Sequence, residues 1–361
     1  MEPEYYELDP DGDVLLVLRT EEPKAEDATA AKPTGDGEGD GKSDGDDESK
    51  AEAPKDETPK VEAPQEVAES IYKTTRFRLS SKHLSLASLY FKRMFTGGWK
   101  EGQSLGNGQP LEISEEGWKP ESFLILMRII HGRTKEVPRK APLETIAEMA
   151  SLVDYFECGE VMGIFVEFWI AQLGTLPAQF SRDTVLCIWI NYVFRRPKFQ
   201  NWTRLAIRKS SGPITALEFP LPDIVINQMN EQREEAIERI VEYLYGLFDD
   251  FQSKNRCSLA CSCMMLGALT KHMCGLKLFP RPSRPFAGLQ LAALTDSLDD
   301  ITTPDWTTRG SYSSNHPCKL AHVIRPTLES LEDSIIGLKL EEFPGPGSAA
   351  KMENGTKQAA S

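Results

Sequence analysis

The chain has 361 residues, 40% of them hydrophobic and 27% charged, a balance that gives room for two compact domains and excludes a collagen, a long coiled coil or a wholly disordered polymer. Its net charge of -14 is concentrated: the stretch from Glu21 to Ser70 holds 17 acidic and 6 basic residues and so carries -11 of it. The remainder is nearly neutral and has no basic face for nucleic acid, so no direct nucleic-acid binding is expected.

The longest uncharged apolar-leaning stretches, Phe168 to Ser181 and Cys257 to Thr270, are shorter than the ~20 residues that span a bilayer. Acids near Met1, where a leader would be basic, and seven cysteines without framework spacing predict an intracellular protein with free thiols and no membrane span.

In chain order, residues 1–12 read as a tail. The first folded element is the run Asp13-Val14-Leu15-Leu16-Val17-Leu18, a buried strand by its aliphatic content. From about residue 20 to 69 large apolar side chains almost vanish, and too little surface is left to bury against the entropy of ordering, so disorder is expected. Ser43, Ser49 and Thr58 lie among the acids of this stretch, where phosphorylation would add charge without building a helix.

Order resumes at Ile71, where Thr75, Phe77 and Leu79 alternate with Arg76 and Arg78 as in a half-buried strand. Ser80 or Ser81 supplies an N-cap for a helix running through Phe91, either continuing or breaking before Met94-Phe95, with Gly97-Gly98 as a stop. A loop through Gly106-Asn107-Gly108 leads to a short strand, Leu111-Glu112-Ile113. Pro120 opens a helix with a one-sided stripe (Phe123, Leu126, Met127, Ile130), and Pro142 opens another with Leu143, Ile146, Ala147, Ala150 and Val153 on one face.

Beyond Ala171 only helices are predicted, at Asp183–Phe194, Trp202–Ser210, Pro222–Phe251, Ser258–Leu276 and Leu320–Leu340. Within the third, the Glu- and Arg-rich run from Glu231 to Arg239 reads as a solvated face. Residues from Gly345 on read as a frayed tail.

Three sets of residues carry a resemblance: Asp13-Val14-x-Leu16-x-Leu18; then Phe77-x-Leu79-Ser80-Ser81-Lys82-x-Leu84 with Ser88-x-Tyr90-Phe91-x-x-Met94-Phe95; then Trp99-Lys100-Glu101, Leu111-x-Ile113, Pro120-x-x-Phe123-x-x-Leu126-x-x-Ile129-Ile130-His131-Gly132 and the helix from Leu143 through Tyr155. In order and spacing they resemble the BTB/POZ domain, in the variant common in fungal proteins. The helical half, through Gly337-Leu338-x-Leu340-Glu341-Glu342-Phe343, is similar to the regions that follow such domains in fungal homologues.

The resemblance implies an α+β BTB/POZ domain over 13–173, a small sheet capped by helical hairpins and interrupted at about 20–69. An all-α region over 178–343 and a disordered tail over 344–361 follow. It also implies a non-enzymatic role through protein partners: homodimerisation through the BTB domain, and a scaffold or substrate-adaptor role with a cullin ubiquitin ligase as candidate partner. The alternative is a nuclear transcriptional regulator acting through the same association, so the cytoplasm and the nucleus both stay open. Leu86, Leu89 and Tyr90 are candidates for the symmetric interface, whereas Leu84 and Phe91 read as core. Trp99 and Glu101 fit a short hydrophobic-x-acidic pattern used by cullin adaptors, though a loop anchored by an ordinary half-buried Trp is the preferred reading of them. Many family members have a His-Lys pair where this chain has Ser80-Ser81, so the charged pocket of the transcription-factor branch is not expected.

Other constellations read as structural. Cys257-x3-Cys261-x-Cys263 with His272, Cys274 and the distant His316-Pro317-Cys318-x3-His322 has soft ligands but no Cys-x-x-Cys knuckle, so buried structural thiols are expected and no metal or cofactor is assigned. No His-Glu-x-x-His, Gly-x-x-x-x-Gly-Lys-Ser/Thr phosphate loop or Gly-x-Gly-x-x-Gly occurs. Cys158 and Cys187 read as inert thiols, Asp249-Asp250 and Asp299-Asp300 as solvated helix-end charges, and His83 and His131 as capping or surface histidines.

Overall fold

The computed structural model describes residues 4–21, 72–96, 109–174, 178–303 and 318–345. The acidic stretch, the Gly97-Gly98 stop, Trp99, Glu101, the Gly106-Asn107-Gly108 loop, His316 and residues 346–361 lie outside them.

Four strands form one sheet in the order β1-β3-β2-β4: β1 (Glu4–Glu7), β2 (Val14–Glu21), β3 (Tyr72–Leu79) and β4 (Leu111–Glu116). The aliphatic run near residue 15 pairs antiparallel with the strand that follows the acidic stretch, in the register Val14↔Leu79, Leu16↔Phe77, Leu18↔Thr75. On its other edge β2 runs parallel to β4, with Leu16 opposite Ile113 and Leu18 opposite Glu115. Because strand side chains alternate, this register brings Val14, Leu16, Leu18, Thr75, Phe77 and Leu79 into the interior, and all six are fully buried.

Three expectations need correction here. Residues 4–7, read as tail, form β1 and pair parallel with β3, where Tyr6 stacks on Phe77 at 5.5 Å and Glu4 meets Lys73 at 3.5 Å. Four residues, two of them Glu, are too few and too polar to announce a strand. Gly12 then lets the chain turn into β2, since a side chain there would meet the Leu79 carbonyl oxygen at 2.6 Å. Next, β2 runs on to Glu21, three residues past Leu18, because its end is tied down by Arg19 against Glu116 at 3.3 Å and by Thr20 Oγ1 donating to the Trp118 carbonyl. Finally, β4 runs to Glu116, so its third inward position is the carboxylate Glu115.

Helices cover the sheet: α1 (Ser81–Ala87), α2 (Leu89–Thr96), α3 (Pro120–Ile130), α4 (Leu143–Phe156) and α5 (Gly159–Ala171). The stripe expected on α3 proves to be nearly a full circumference, buried at every position from Ser122 to Ile130 except Arg128. Phe123 lies 5.1 Å from Phe77 and 5.8 Å from Phe156, and Phe91 stacks on Phe156 at 5.1 Å, so strand and helix aromatics share one core.

The second half is helical: α6 (Arg182–Val193), α7 (Phe199–Lys209), α8 (Asp223–Ser253), α9 (Leu259–Gly275), α10 (Leu291–Asp299) and α11 (Leu320–Ser334). It packs on the first half through α6 against α4, where Trp189 Nε1 donates to Ser151 Oγ at 3.1 Å. The nine-residue α10 escaped the sequence reading because it is short and no side chain caps its start. The predicted helix to Leu340 stops at Ser334. Beyond it the chain straps across α6 and α7: Arg204 donates to the Ile335 carbonyl, the Leu338 amide to Thr203 Oγ1, and Tyr192 to the Pro344 carbonyl at 2.8 Å. Gly337 has φ +82, and a side chain there would collide with the Gln200 carbonyl.

The expectation that 231–239 is a solvated face fails at Arg233, which is fully buried. Its guanidinium donates to the carbonyls of Ser210, Pro285, Phe286 and Leu289 at 2.7–3.2 Å. The planar fork thereby ties α8 to two otherwise irregular segments, and composition alone could not separate this Arg from its surface neighbours. Replacing it with Met removes the guanidinium bonds to four carbonyls, so Arg233→Met is expected to lower stability by about 3 kcal/mol or more in urea denaturation, with Arg233→Lys recovering little of the loss.

Candidate interaction surface

The surface is built where β2, β3 and α1 meet. Asp13 sits at the start of α1, accepting the Ser81 amide at 2.8 Å and the Ser81 hydroxyl at 2.6 Å. Burial alone would raise its carboxyl pKa, but the two Ser81 bonds prevail and hold it below the ordinary carboxylate range. Ser80, the residue before α1, gives its amide to His131 Nε2 at 3.0 Å. The other ring nitrogen, Nδ1, lies 2.9 Å from the Met127 carbonyl. The ring that fits both partners is neutral, with its proton on Nδ1. His131, the residue that closes α3, is therefore a cap, as its sequence context suggests, while His83 is exposed with its ring 5.2 Å away.

Helix α1 does not continue into α2. Ser88 breaks it: its hydroxyl donates to the Phe156 carbonyl at 2.5 Å and accepts the Phe91 amide at 3.1 Å. Arg93 on α2 forms a two-pronged ion pair with Glu157, the left-handed residue that ends α4. The break fixes the orientation of the residues around it. Leu84 and Phe91 point inward and are fully buried, while Leu86 is 89% exposed and Leu89 55% exposed.

Tyr90 is half-buried, with its hydroxyl donating to Glu115 Oε1 at 3.0 Å and its ring 5.3 Å from both Phe156 and the exposed Tyr155. Burial raises the Glu115 pKa, which the Tyr90 bond opposes, and burial together with the nearby Glu115 raises that of Tyr90. Tyr90 thus packs against the exposed Tyr155, and Leu86 and Leu89 are exposed on either side of the break. Glu115 escaped the sequence reading, although extending the alternation of Leu111 and Ile113 by two residues would have located it. Trp99 and Glu101 lie outside the described residues.

Residues 67–173 match the family model of the BTB/POZ domain. The chain carries a BTB/POZ domain. No curated protein matches the chain. BTB/POZ domains are protein-interaction modules, so a surface of this kind is where function is to be sought. The match begins after β1 and β2, yet the structure pairs both of these strands with β3.

Among the groups considered for catalysis, two thiols are buried and two carboxylates are ion-paired. Burial pushes the thiols of Cys158 and Cys187 up to about 12, which keeps them protonated. Asp250 pairs with Lys254 at 2.7 Å and Asp299 with Arg325 at 2.6 Å. Among the described residues no helix is long and apolar enough to cross a membrane. The expectation of buried thiols is corrected at Cys257, Cys263 and Cys274, which are exposed because they lie at or beyond the solvent side of α9. The sulfurs of Cys257, Cys261 and Cys318 lie within 4.8 Å of one another.

Burial depresses the His131 pKa, His83 and Arg133 lower it further, and the Met127 bond and Asp9 oppose them. A depressed pKa means that the fold holds the neutral ring. Its contribution is complete above the unfolded value near ~6.5 and is lost as pH falls through the lower folded value. Urea midpoints measured across this window are expected to fall with acidification in the wild type and to fall less in His131→Gln.

Proposed function

We propose that the chain is a non-enzymatic, self-associating scaffold or substrate adaptor that works inside the cell through its BTB/POZ domain. The observation that carries this reading is the pair Leu86 and Leu89, large apolar side chains left in solvent on either side of a break that is itself fixed by buried hydrogen bonds. Stranded singly, exposed leucines mean little. Two of them on one junction within a domain of an interaction family favour burial against a partner.

A second copy is the simplest occupant, because a patch placed on a two-fold axis meets itself and doubles the apolar area removed from water. Light scattering on the full chain is expected to give a dimer mass. Leu86→Asp, at a side chain with almost no contacts to lose, is expected to give a monomer with stability changed by less than about 0.5 kcal/mol. A wild-type monomer, or a variant that stays dimeric, speaks against the assignment.

The adaptor form of the proposal names a cullin as partner class, supported by the domain match and by the sequence Trp99-Lys100-Glu101. Cullin capture by the purified chain is expected to weaken on Trp99→Ala or Glu101→Lys. No capture by the wild type removes the adaptor form and leaves the scaffold.

A further inference from the structure

The ends of two helices in the C-terminal region bring three sulfurs together. Cys257 lies just before α9, Cys261 in its first turn, and Cys318 two residues before α11. Their Sγ atoms all lie within 4.8 Å of one another, with Cys257 exposed, Cys261 buried and Cys318 between. The residues are 57 or more positions apart across the chain on one side and only four apart on the other. Chance adjacency on a single helix therefore does not account for the trio.

The backbone around the sulfurs is fixed by hydrogen bonds that owe nothing to a ligand. Ser258 caps α9 by accepting the Cys261 amide at 3.1 Å. Ser262 accepts the Arg256 amide at 3.0 Å and donates to the Lys254 carbonyl at 3.2 Å, which folds the segment holding Cys257 onto the first turn. On the other side the Leu320 amide donates to Thr303 Oγ1 at 2.8 Å, which seats the start of α11 and Cys318 with it. The three ligands are thus held in place before any ion arrives, the condition under which a metal site forms at little cost in ordering.

We propose that Cys257, Cys261 and Cys318 form a three-thiolate site for a thiophilic divalent cation of the zinc class, which staples the start of α9 to the start of α11. In a tetrahedron with metal–sulfur bonds of about 2.3 Å the sulfurs stand ~3.8 Å apart, a separation reached here by side-chain rotation within the observed 4.8 Å. Each thiol releases its proton to solvent as its sulfur takes up the metal, so the site carries three negative charges against two positive ones. The partial positive charge at the start of α9 favours that excess. A disulfide would use two of the three sulfurs and leave the third beside it with no role. The exposed side at Cys257 keeps the fourth position open to water or to a ligand from outside.

Neighbouring soft ligands define the limits of the site. Cys263 is exposed and two residues from Cys261, which turns it about 200° round the helix. His272 is eleven residues on, about 16 Å along the axis, with its Nε2 near the Thr302 carbonyl. Neither belongs to the cluster.

The test is metal analysis of the full chain, loaded with zinc and dialysed against metal-free buffer, together with cobalt substitution. A single zinc per chain is expected, and cobalt is expected to give the intense near-ultraviolet thiolate-to-metal band. Cys257→Ser and Cys318→Ser, at sites that are not fully buried, are expected to bring metal content and band to background while keeping the circular dichroism of the wild type. Cys263→Ser is expected to keep both. Absence of zinc and of the cobalt band in the folded wild type, equal retention in all three variants, or a disulfide within the trio of the native protein would overturn the proposal.

Discussion

The antiparallel pairing of β2 with β3 is the constraint on which the rest of the BTB half depends. It places Leu16 opposite Phe77 and sets which side chains of both strands face inward. A slip of one residue would turn that whole apolar set to solvent. The pair also carries β1 on one edge and β4 on the other, so that all four strands share one register. The two strands are separated by the most acidic stretch of the chain, but closing a long segment costs only logarithmically more than closing a short one, about 0.6 kcal/mol per doubling. The buried area around Leu16, Leu18, Phe77 and Phe123 outweighs that term.

The candidate interaction surface is a consequence of the same pairing. Asp13 leads into β2, and its carboxylate accepts both polar groups of Ser81, so strand and helix are joined where α1 begins. His131 closes the contact from α3 by taking the Ser80 amide. Ser88 then redirects the chain into α2 and leaves Leu86 and Leu89 outward while Leu84 and Phe91 go inward. Apolar exposure at this junction is therefore specified by buried polar bonds, which makes it a rigid feature of the domain.

Much of this was legible in the sequence because it rests on periodicity. The alternation of Thr75, Phe77 and Leu79, the aliphatic run from Val14 and the spaced apolar residues after Pro120 and Pro142 each announce an element, and the order of those elements announces the domain. What was not legible depends on tertiary partners. Glu4–Glu7 becomes a strand only because β3 offers a free edge, and Ser88 breaks a helix only because Phe156 presents a carbonyl. Arg233 is indistinguishable by composition from Arg239 until four carbonyls surround it. The thiol trio is the strongest case. Cys257 and Cys261 have an unremarkable helical spacing, and nothing in the sequence reveals that Cys318 folds back onto them.

Hydrogen–deuterium exchange on the full chain tests the central pairing most directly. Amides from Val14 to Arg19 are expected to exchange as slowly as those of Phe77 and of the buried helix from Phe123 to Ile130, through the same cooperative opening. Rapid exchange across 14–19 in a protein whose 123–130 amides stay protected would contradict the account, because the aliphatic strand would then be no part of the sheet.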